Sequence, residues 1–307
     1  MKSPALCLIF ALAALPLLAA ESNETTSKTY PARQGKVVLV DAGPLDLYVR
    51  SSDIDEIRVT IELSAGAFSQ KQAAAWVEAH RPTVEDSEQT LRITAPDPTG
   101  YKLLKGVIVS KARVELVLPP SVQPDLSTSS GAMKVEGEFP AGTPLRLRTA
   151  SGLVEFTGWA PKIEARSTSG DMRLLASRAI EHLLARSASG EVWLTGGARV
   201  VRCDSSSGDV YLEGLLGPIG ITTTSGNVTA GFDTLAATDE VKVSSTSGKV
   251  RLTLPPGSQP GGEVTSAKAE IRSVYPGHAD PKGGRLALSG TGAKLQITTS
   301  SGRIELL

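Results

Sequence analysis

Three carboxylates recur at one position of a repeated motif, and such a set could perform acid–base chemistry. Asp171, Glu191 and Asp209 each directly follow the glycine of a Ser-Gly pair. On neighbouring strands of a stack they would lie about 5 Å apart, which is the carboxylate separation of retaining glycoside hydrolases. Stacked carboxylates also arise in any repeat array, so structural ion pairs between strands are the favoured interpretation and cleavage of a polysaccharide is the alternative.

Cationic and aromatic residues follow the same spacing. Arginines stand four residues before the glycine in three consecutive copies, and aromatic residues stand three after it in two adjacent copies. Guanidinium groups bind carboxylates and hydroxyls, and aromatic rings pack against apolar faces such as those of sugars. Ion pairs across the corner and between coils are the favoured interpretation of this pattern too. The alternative is a glycan-contacting strip, whose candidate ligand-binding residues are Arg148, Arg166, Arg186, Trp193, Tyr211, Asp171, Glu191 and Asp209.

Other kinds of site find no support in the residue pattern. The Ser-Gly pairs lack the Gly-x-Ser-x-Gly context of a nucleophile, and no His and Asp recur beside them. The three histidines are far apart, so we predict no metal site and no cofactor. The "GPIGITTTSG" stretch (217–226) lacks the ending of a phosphate-binding loop. Lys+Arg and Asp+Glu balance at 32 each, which argues against a nucleic-acid partner.

Internal repeats dominate the chain beyond about residue 125. Ser-Gly occurs at 130–131, 151–152, 169–170, 189–190, 207–208, 225–226, 247–248 and 301–302. A ninth, degenerate copy lies at 263–273, where we place Ala267 at the glycine position, and a Gly- and Pro-rich insertion follows at 274–292. A period near twenty residues is typical of a solenoid.

The apolar residues change parity at each repeat glycine. In most copies they lie seven and five residues before it and two and four after it, as in Leu183, Ala185, Val192 and Leu194 around Gly190. Alternate residues of a strand share a face, so a change of parity predicts a bend. We expect glycine to permit unusual backbone angles at this corner, with the serines one and three residues before it pointing inward as a hydroxyl ladder.

The N-terminal third differs from the repeats. Residues 1–20 read as a signal peptide cleaved near Ala20, and residues 21–35 as a flexible leader. Residues 36–124 alternate as paired strands, interrupted by an amphipathic helix at 69–80 that Ser69 and Gln72 cap. We interpret this section as a cap on the repeats at 125–307. Cys203 remains alone after signal removal, and we expect it to be buried.

The repeated "TxSGxVxL"-like copies resemble the bacterial exported "putative adhesin" family. They are preceded by "LVDAGPLDLYVRSSDIDEIRVTIEL" and followed by "GGRLALSGTGAKLQITTSSGRIELL", so the resemblance covers about residues 36–307. It implies a parallel stack of β-coils located outside the cytoplasm, and it carries no catalytic residues over to this chain. The helix at 69–80 is a departure from the plain family pattern.

The sequence therefore predicts an all-β protein, a right-handed parallel β-solenoid of about nine coils with a β-rich N-terminal cap. We expect the final "RIELL" to pair on the last coil. Without a catalytic constellation, the leading hypothesis is a non-enzymatic, exported scaffold or adhesin-like module of the periplasm, outer surface or exterior, with an envelope glycan or protein as partner. The alternatives are a carbohydrate-active β-helix enzyme acting on acidic polysaccharide and an assembly role through stacking of solenoid ends.

Overall fold

The computed structural model describes residues 20–96, 106–140, 142–280 and 284–307. The predicted signal peptide, residues 1–20, lies outside the described residues except for Ala20. The regular secondary structure of the described residues is almost entirely strand, with a single helix, α1 (Gln70–Ala79), among the described elements.

Two long ladders of mostly parallel strands form the two walls of the molecule. The first wall contains β2 (Val37–Asp41), β6 (Thr90–Thr94), β8 (Gln123–Thr128), β10 (Leu145–Thr149), β12 (Lys162–Ser167), β14 (Ile180–Ser187), β16 (Ala198–Ser205), β18 (Ile219–Thr223), β20 (Glu240–Ser245), β22 (Gly261–Ser266) and β26 (Lys294–Thr299). The second wall contains β3 (Asp46–Ser51), β7 (Val107–Leu118), β9 (Met133–Glu138), β11 (Val154–Trp159), β13 (Met172–Ala176), β15 (Val192–Thr195), β17 (Val210–Leu215), β19 (Val228–Phe232), β21 (Val250–Thr253), β23 (Ile271–Ser273) and β27 (Ile304–Leu306).

Each of the eight coils that carry a Ser-Gly pair crosses the first wall, turns at the glycine corner and continues along the second wall. Most strands alternate between buried and accessible residues, so both walls turn an apolar face towards one shared core. Leu147, Ala165, Ala185, Cys203 and Ile221 form one inward column in register. Cys203 is fully buried and free, as predicted, and burial raises the pKa of its thiol to about 12. The predicted solenoid is therefore confirmed.

Two further coils precede the nine repeat units within the described residues. The β2–β3 pair lies in parallel register against β8–β9, with Leu47 beside Met133, although it lacks a Ser-Gly motif. The β6–β7 pair packs on its other side. Part of the section interpreted as a cap is thus a continuation of the stack itself.

The order of coils in space departs from the order in sequence at both ends. The β2–β3 coil lies between β6–β7 and β8–β9, and the C-terminal β26–β27 coil lies between β20–β21 and β22–β23. The final "RIELL" does pair with the outermost coil, where Ile304 lies beside Ile271, but it also pairs with β21, where Ile304 lies beside Val250. The C-terminal coil therefore lies inside the stack and not at its end. Both terminal coils are held between two neighbours.

Antiparallel strands cover the outermost coils. At the N-terminal end, β4 (Glu56–Ala67) pairs with β7, β1 (Ala20–Pro31) pairs with β4, and β5 (Thr83–Asp86) pairs with β6. At the other end, β25 (Arg285–Ser289) pairs with β22, and β24 (Gly277–Ala279) pairs with β25. The exposed edge of a parallel sheet is a template for aggregation, and these antiparallel strands cover the outer edges of β6, β7 and β22.

Two segments that the sequence left without structure contribute to this covering. The expected flexible leader, residues 21–35, forms most of β1, whose backbone pairs along its full length with β4. The expected insertion at 274–292 supplies β24 and β25. Helix α1 lies against β1 and β4, with Ser69 as its N-cap and Ala73, Trp76 and Val77 on its buried face.

The repeat glycines are required for close packing rather than for unusual backbone angles. None of the eight has a positive φ. A Cβ at Gly190 would lie 2.0 Å from the carbonyl oxygen of Gly170, and one at Gly208 would lie 1.9 Å from that of Gly190. The glycines stack directly on one another along the corner, and a side chain would separate the coils.

The serines and threonines of the motif divide between core and surface. The hydroxyls three residues before the glycine are buried or half-buried and bond mainly within their own coil, as when Ser205 Oγ donates to the Gly208 carbonyl at 2.8 Å. The serines one residue before it, such as Ser207, are exposed, so their expected inward position is wrong. The chain bends before it reaches the glycine, so the serine directly before the glycine faces outward and not inward.

The degenerate repeat is shifted from its expected register. Ser266 pairs in register with Thr299, which stands three residues before Gly302. Ala269, not Ala267, therefore occupies the glycine position, and its N–H donates to Ser266 Oγ at 3.1 Å. The apolar spacing of this copy is too weak to fix its register from the sequence.

Glu305 joins the intercalated C-terminal strand to its neighbour. Its carboxylate contacts Lys249 Nζ at 2.8 Å and accepts a hydrogen bond from Arg251 Nε at 2.9 Å. Hydrogen bonds from Lys249 and Arg251 lower the pKa of Glu305 from 4.5 to about 2. Because the folded pKa is depressed, the stabilisation exists above pH 4.5 and is lost as the pH falls towards 2.

We expect Glu305→Gln to lower the melting temperature at pH 7 and to lose that difference progressively between pH 4.5 and pH 2. Thermal melts across this pH range measure the effect. Glu213→Gln, which changes an exposed glutamate of β17, serves as the control and should follow the wild type. A constant gap between Glu305→Gln and wild type at every pH would contradict the assignment.

Candidate binding site

The predicted basic residues form a column on the outer face of the first wall. Arg148, Arg166 and Arg186 lie side by side in register, followed by Asp204. Arg148 binds Asp125 through two hydrogen bonds of 2.6 and 3.3 Å, and Arg186 contacts Asp204 at 3.4 Å. Arg166 has no ion-pair partner within the described ranges, so it is the member of the column whose charge is most available.

The predicted acidic residues begin the second wall, immediately beyond the glycine corner. Asp171 Oδ1 accepts a hydrogen bond from the backbone N–H of Glu191 at 2.9 Å. Asp209 Oδ1 accepts one from the backbone N–H of Asn227 at 2.7 Å. Each of these two carboxylates thus ties its own coil to the next one.

This backbone ladder extends beyond the predicted acids. Asn227 Oδ1 accepts from the N–H of Lys249 at 3.0 Å, and Asp46 Oδ1 accepts from the N–H of Ala132 at 2.9 Å. Asn227 directly follows a repeat glycine, the position that Asp171, Glu191 and Asp209 hold in their own coils. It is an amide and not a carboxylate, so the acidic pattern alone does not identify it. These side chains therefore hold neighbouring coils together by accepting backbone N–H groups.

The two aromatic residues stack on the outer face of the second wall. The ring centroids of Trp193 and Tyr211 are 4.0 Å apart, with an interplanar angle of 23°. Trp193 Nε1 donates to Glu191 at 2.8 Å, and the Tyr211 hydroxyl donates to Asp209 at 3.1 Å. Burial, followed by the hydrogen bond to Asp209, raises the pKa of Tyr211. Trp193 is 39% exposed, so the pair forms a fixed aromatic surface in contact with solvent.

The candidate residues do not form a single strip. The arginines belong to first-wall strands, whereas the acids and rings lie beyond the glycine corner on the second wall. The structure brings Trp193, Tyr211, Glu191 and Asp209 together and separates them from the arginines by the corner. In the described part of the chain, no cluster of three or more His, Cys, Asp or Glu could hold a metal ion.

The sequence reasoning missed a groove on the first wall. Gly220 lies in register between Arg202 and Lys242, and its missing side chain leaves a cavity of about 460 Å³. Val200, Asp204, Pro218, Thr222 and Glu240 complete its rim. The sequence does show Gly220 at an outward position of a regular strand, with charged residues at the same position of the neighbouring repeats.

No helix among the described residues is both long enough and apolar enough to cross a membrane. No curated protein sequence matches the chain.

Three solved structures align with most of this chain. A "putative adhesin" from Parabacteroides merdae aligns with 14% identity over 92% of this chain and 96% of its own, with a TM-score of 0.50. A "putative adhesin" from Parabacteroides distasonis aligns with 17% identity over 92% and 97%, with a TM-score of 0.47. A "putative lipid binding protein" from the same species aligns with 11% identity over 93% and 96%, with a TM-score of 0.37.

At 14% identity, the similarity to the Parabacteroides merdae structure shows only that the fold is shared. The family match is more extensive, since residues 46–307 align with the Toastrack DUF4097 family. That range contains the repeat glycines and all the candidate residues described above. The chain belongs to the Toastrack DUF4097 family.

Proposed function

We propose that this chain is an exported, non-enzymatic, adhesin-like binding protein of the cell envelope that holds its ligand on the outer face of its walls. The observation that carries the proposal is the exposed stack of Trp193 on Tyr211. The rings point away from the core, so packing of the solenoid does not account for them. An exposed aromatic pair whose polar ends are already hydrogen-bonded is suited to contact with a ligand.

A glycan is the ligand class that fits this surface. Aromatic rings pack against the apolar faces of sugars. The Glu191 carboxylate accepts the Trp193 N–H through Oε2, which leaves Oε1 as an acceptor for sugar hydroxyls. The two oxygens of Asp209 already accept hydrogen bonds from Asn227 and Tyr211, so Asp209 holds the Tyr211 ring in place. The neighbour of Tyr211 on the far side from Trp193 is Thr229, whose short side chain covers less of the ring than another aromatic would. We assign supporting contacts to Asp171 on the same wall and to Arg148, Arg166 and Arg186 around the corner.

The proposal of export rests on the amino-terminal sequence, which has the charge, apolar run and small residues of a signal peptide. Solved proteins of similar fold carry the name "putative adhesin". A long rigid stack also suits a protein that must present a binding face away from a surface.

The test is binding of the mature chain to a glycan array and to isolated envelope polysaccharide. We expect the double variant Trp193→Ala, Tyr211→Ala to bind about tenfold or more weakly, because ring contacts are worth about 1.4 kcal/mol. The matched control is Leu175→Ala, which removes an apolar side chain 48% exposed on the neighbouring part of the second wall. Wild-type protein that binds neither material, or a double variant that binds as tightly as wild type, would overturn the proposal.

A further inference from the structure

We infer that the first-wall groove over Gly220 is a second ligand site, which binds an anionic sugar unit of an acidic polysaccharide. The groove lies on the opposite side of the glycine corner from the Trp193–Tyr211 pair. Its residues belong to three consecutive coils, those of Gly208, Gly226 and Gly248. The inference therefore goes beyond the proposed function and requires neither aromatic ring.

The register of three strands creates the groove. Arg202, Gly220 and Lys242 occupy the same outward position of β16, β18 and β20. Strands in a sheet are about 4.8 Å apart, so two cationic side chains rise on either side of a bare glycine, about 9.6 Å from backbone to backbone. Among the residues that the structure describes, no heavy atom lies within 4 Å of the place where a Gly220 Cβ would be. The floor is therefore open, and the groove is one coil wide.

Both cations keep hydrogen-bond donors for a ligand. Lys242 has no ion-pair partner in the ranges that the structure describes. Arg202 has one, Asp204, at 3.7 Å, and that carboxylate is shared with Arg186 at 3.4 Å. A carboxylate or phosphate placed over Gly220 would lie between the guanidinium and the ammonium groups. Charge-assisted hydrogen bonds from both sides would hold it there.

The rest of the rim selects a sugar rather than a simple anion. Asp204 and Glu240 would repel an isolated anion, yet their carboxylates, together with the Thr222 hydroxyl, accept hydrogen bonds from sugar hydroxyls. Val200, which is 38% exposed, and Pro218 offer an apolar side to the C–H face of a ring. Donors at the centre and acceptors at the ends match a hydroxyl-rich unit that carries one negative group.

The experiment measures binding of hexagalacturonate, a phosphorylated hexasaccharide, neutral cellohexaose and inorganic sulfate by calorimetry. We expect binding of at least one anionic oligosaccharide, which identifies whether carboxylate or phosphate is preferred. Sulfate and cellohexaose should bind at least tenfold more weakly. Gly220→Thr fills the groove with a residue that strands favour, and Lys242→Gln and Arg202→Gln remove the cations. Each should weaken anionic binding about tenfold or more.

Two matched controls separate groove filling from damage to the fold. Gly231→Thr introduces the same residue at an equally open glycine of the same coil on the second wall, and Lys162→Gln removes a first-wall cation outside the groove. Both should bind as wild type does. The inference is overturned if neither anionic oligosaccharide binds, if cellohexaose binds equally well, or if Gly220→Thr and Gly231→Thr behave alike. If Trp193→Ala, Tyr211→Ala abolishes anionic binding while Gly220→Thr does not, the inference fails and the proposed function survives.

Discussion

Gly190→Ala is expected to lower the free energy of unfolding by about 3 kcal/mol or more, which is the upper range for forcing atoms into a packed interior. A Cβ at this position would lie 2.0 Å from the carbonyl oxygen of Gly170 and 2.5 Å from its carbonyl carbon. Both atoms are backbone, so no rotamer change relieves the contact. The coils must separate, and the backbone hydrogen bonds across the corner must lengthen. Urea denaturation followed by tryptophan fluorescence measures the loss.

The control for this prediction is Gly231→Ala in β19. No heavy atom of the described part of the chain lies within 4 Å of the new Cβ there, so we expect a change within about 0.5 kcal/mol. Alanine also restricts the unfolded chain more than glycine does, which favours the folded state slightly. Equal stability of Gly190→Ala and Gly231→Ala would show that steric packing is not the reason why the corner requires glycine.

Asp86→Ala is expected to destabilise the N-terminal end of the stack by about 3 kcal/mol, the lower end of the cost of breaking a buried ion pair. Lys36 is 2% exposed, and its ammonium contacts Asp86 at 2.6 Å and the Pro31 carbonyl at 3.1 Å. Without Asp86, the only partner left to the buried charge among the described residues is the Pro31 carbonyl. The Asp86 side chain is 30% exposed, so some water can replace it, which is why we expect the lower value.

The double variant Lys36→Met, Asp86→Ala isolates the cause. It removes the buried charge together with its partner, so we expect it to recover much of the stability lost in Asp86→Ala. Glu138→Ala, which breaks a surface pair with Arg178 whose side chains are 61% and 56% exposed, should cost about 1 kcal/mol at most. If the double variant is less stable than Asp86→Ala, the uncompensated charge is not the source of the effect.

Local patterning in the sequence was sufficient to predict the solenoid and its corner. Alternation of apolar residues and its change of parity at each Ser-Gly are properties of a single coil, and they reappear as the buried columns of both walls. The same reasoning predicted the burial of Cys203. The candidate residues Trp193, Tyr211, Glu191 and Asp209 came together because a fixed distance from the glycine gives a fixed place in every coil.

The sequence could not determine which coil pairs with which. The C-terminal repeat carries the same motif as the others, and nothing in it specifies insertion between β20–β21 and β22–β23. The polar alternation of residues 20–31 is too weak to reveal a strand until β4 supplies its partner. Likewise, the groove over Gly220 depends on Arg202 and Lys242, which are distant in sequence and become neighbours through register.

The sequence by itself determined what one coil looks like, because alternation and the Ser-Gly corner are short-range properties of the chain. The tertiary structure decided the order of the coils, the steric role of the stacked glycines and the division of the candidate residues between two walls. These features arise from contacts between coils about 4.8 Å apart, which couple residues roughly twenty positions or more apart in the chain. These contacts are backbone hydrogen bonds between strands, which any strand with the right alternation of apolar residues can form. The sequence of one coil therefore does not specify which coil lies next to it.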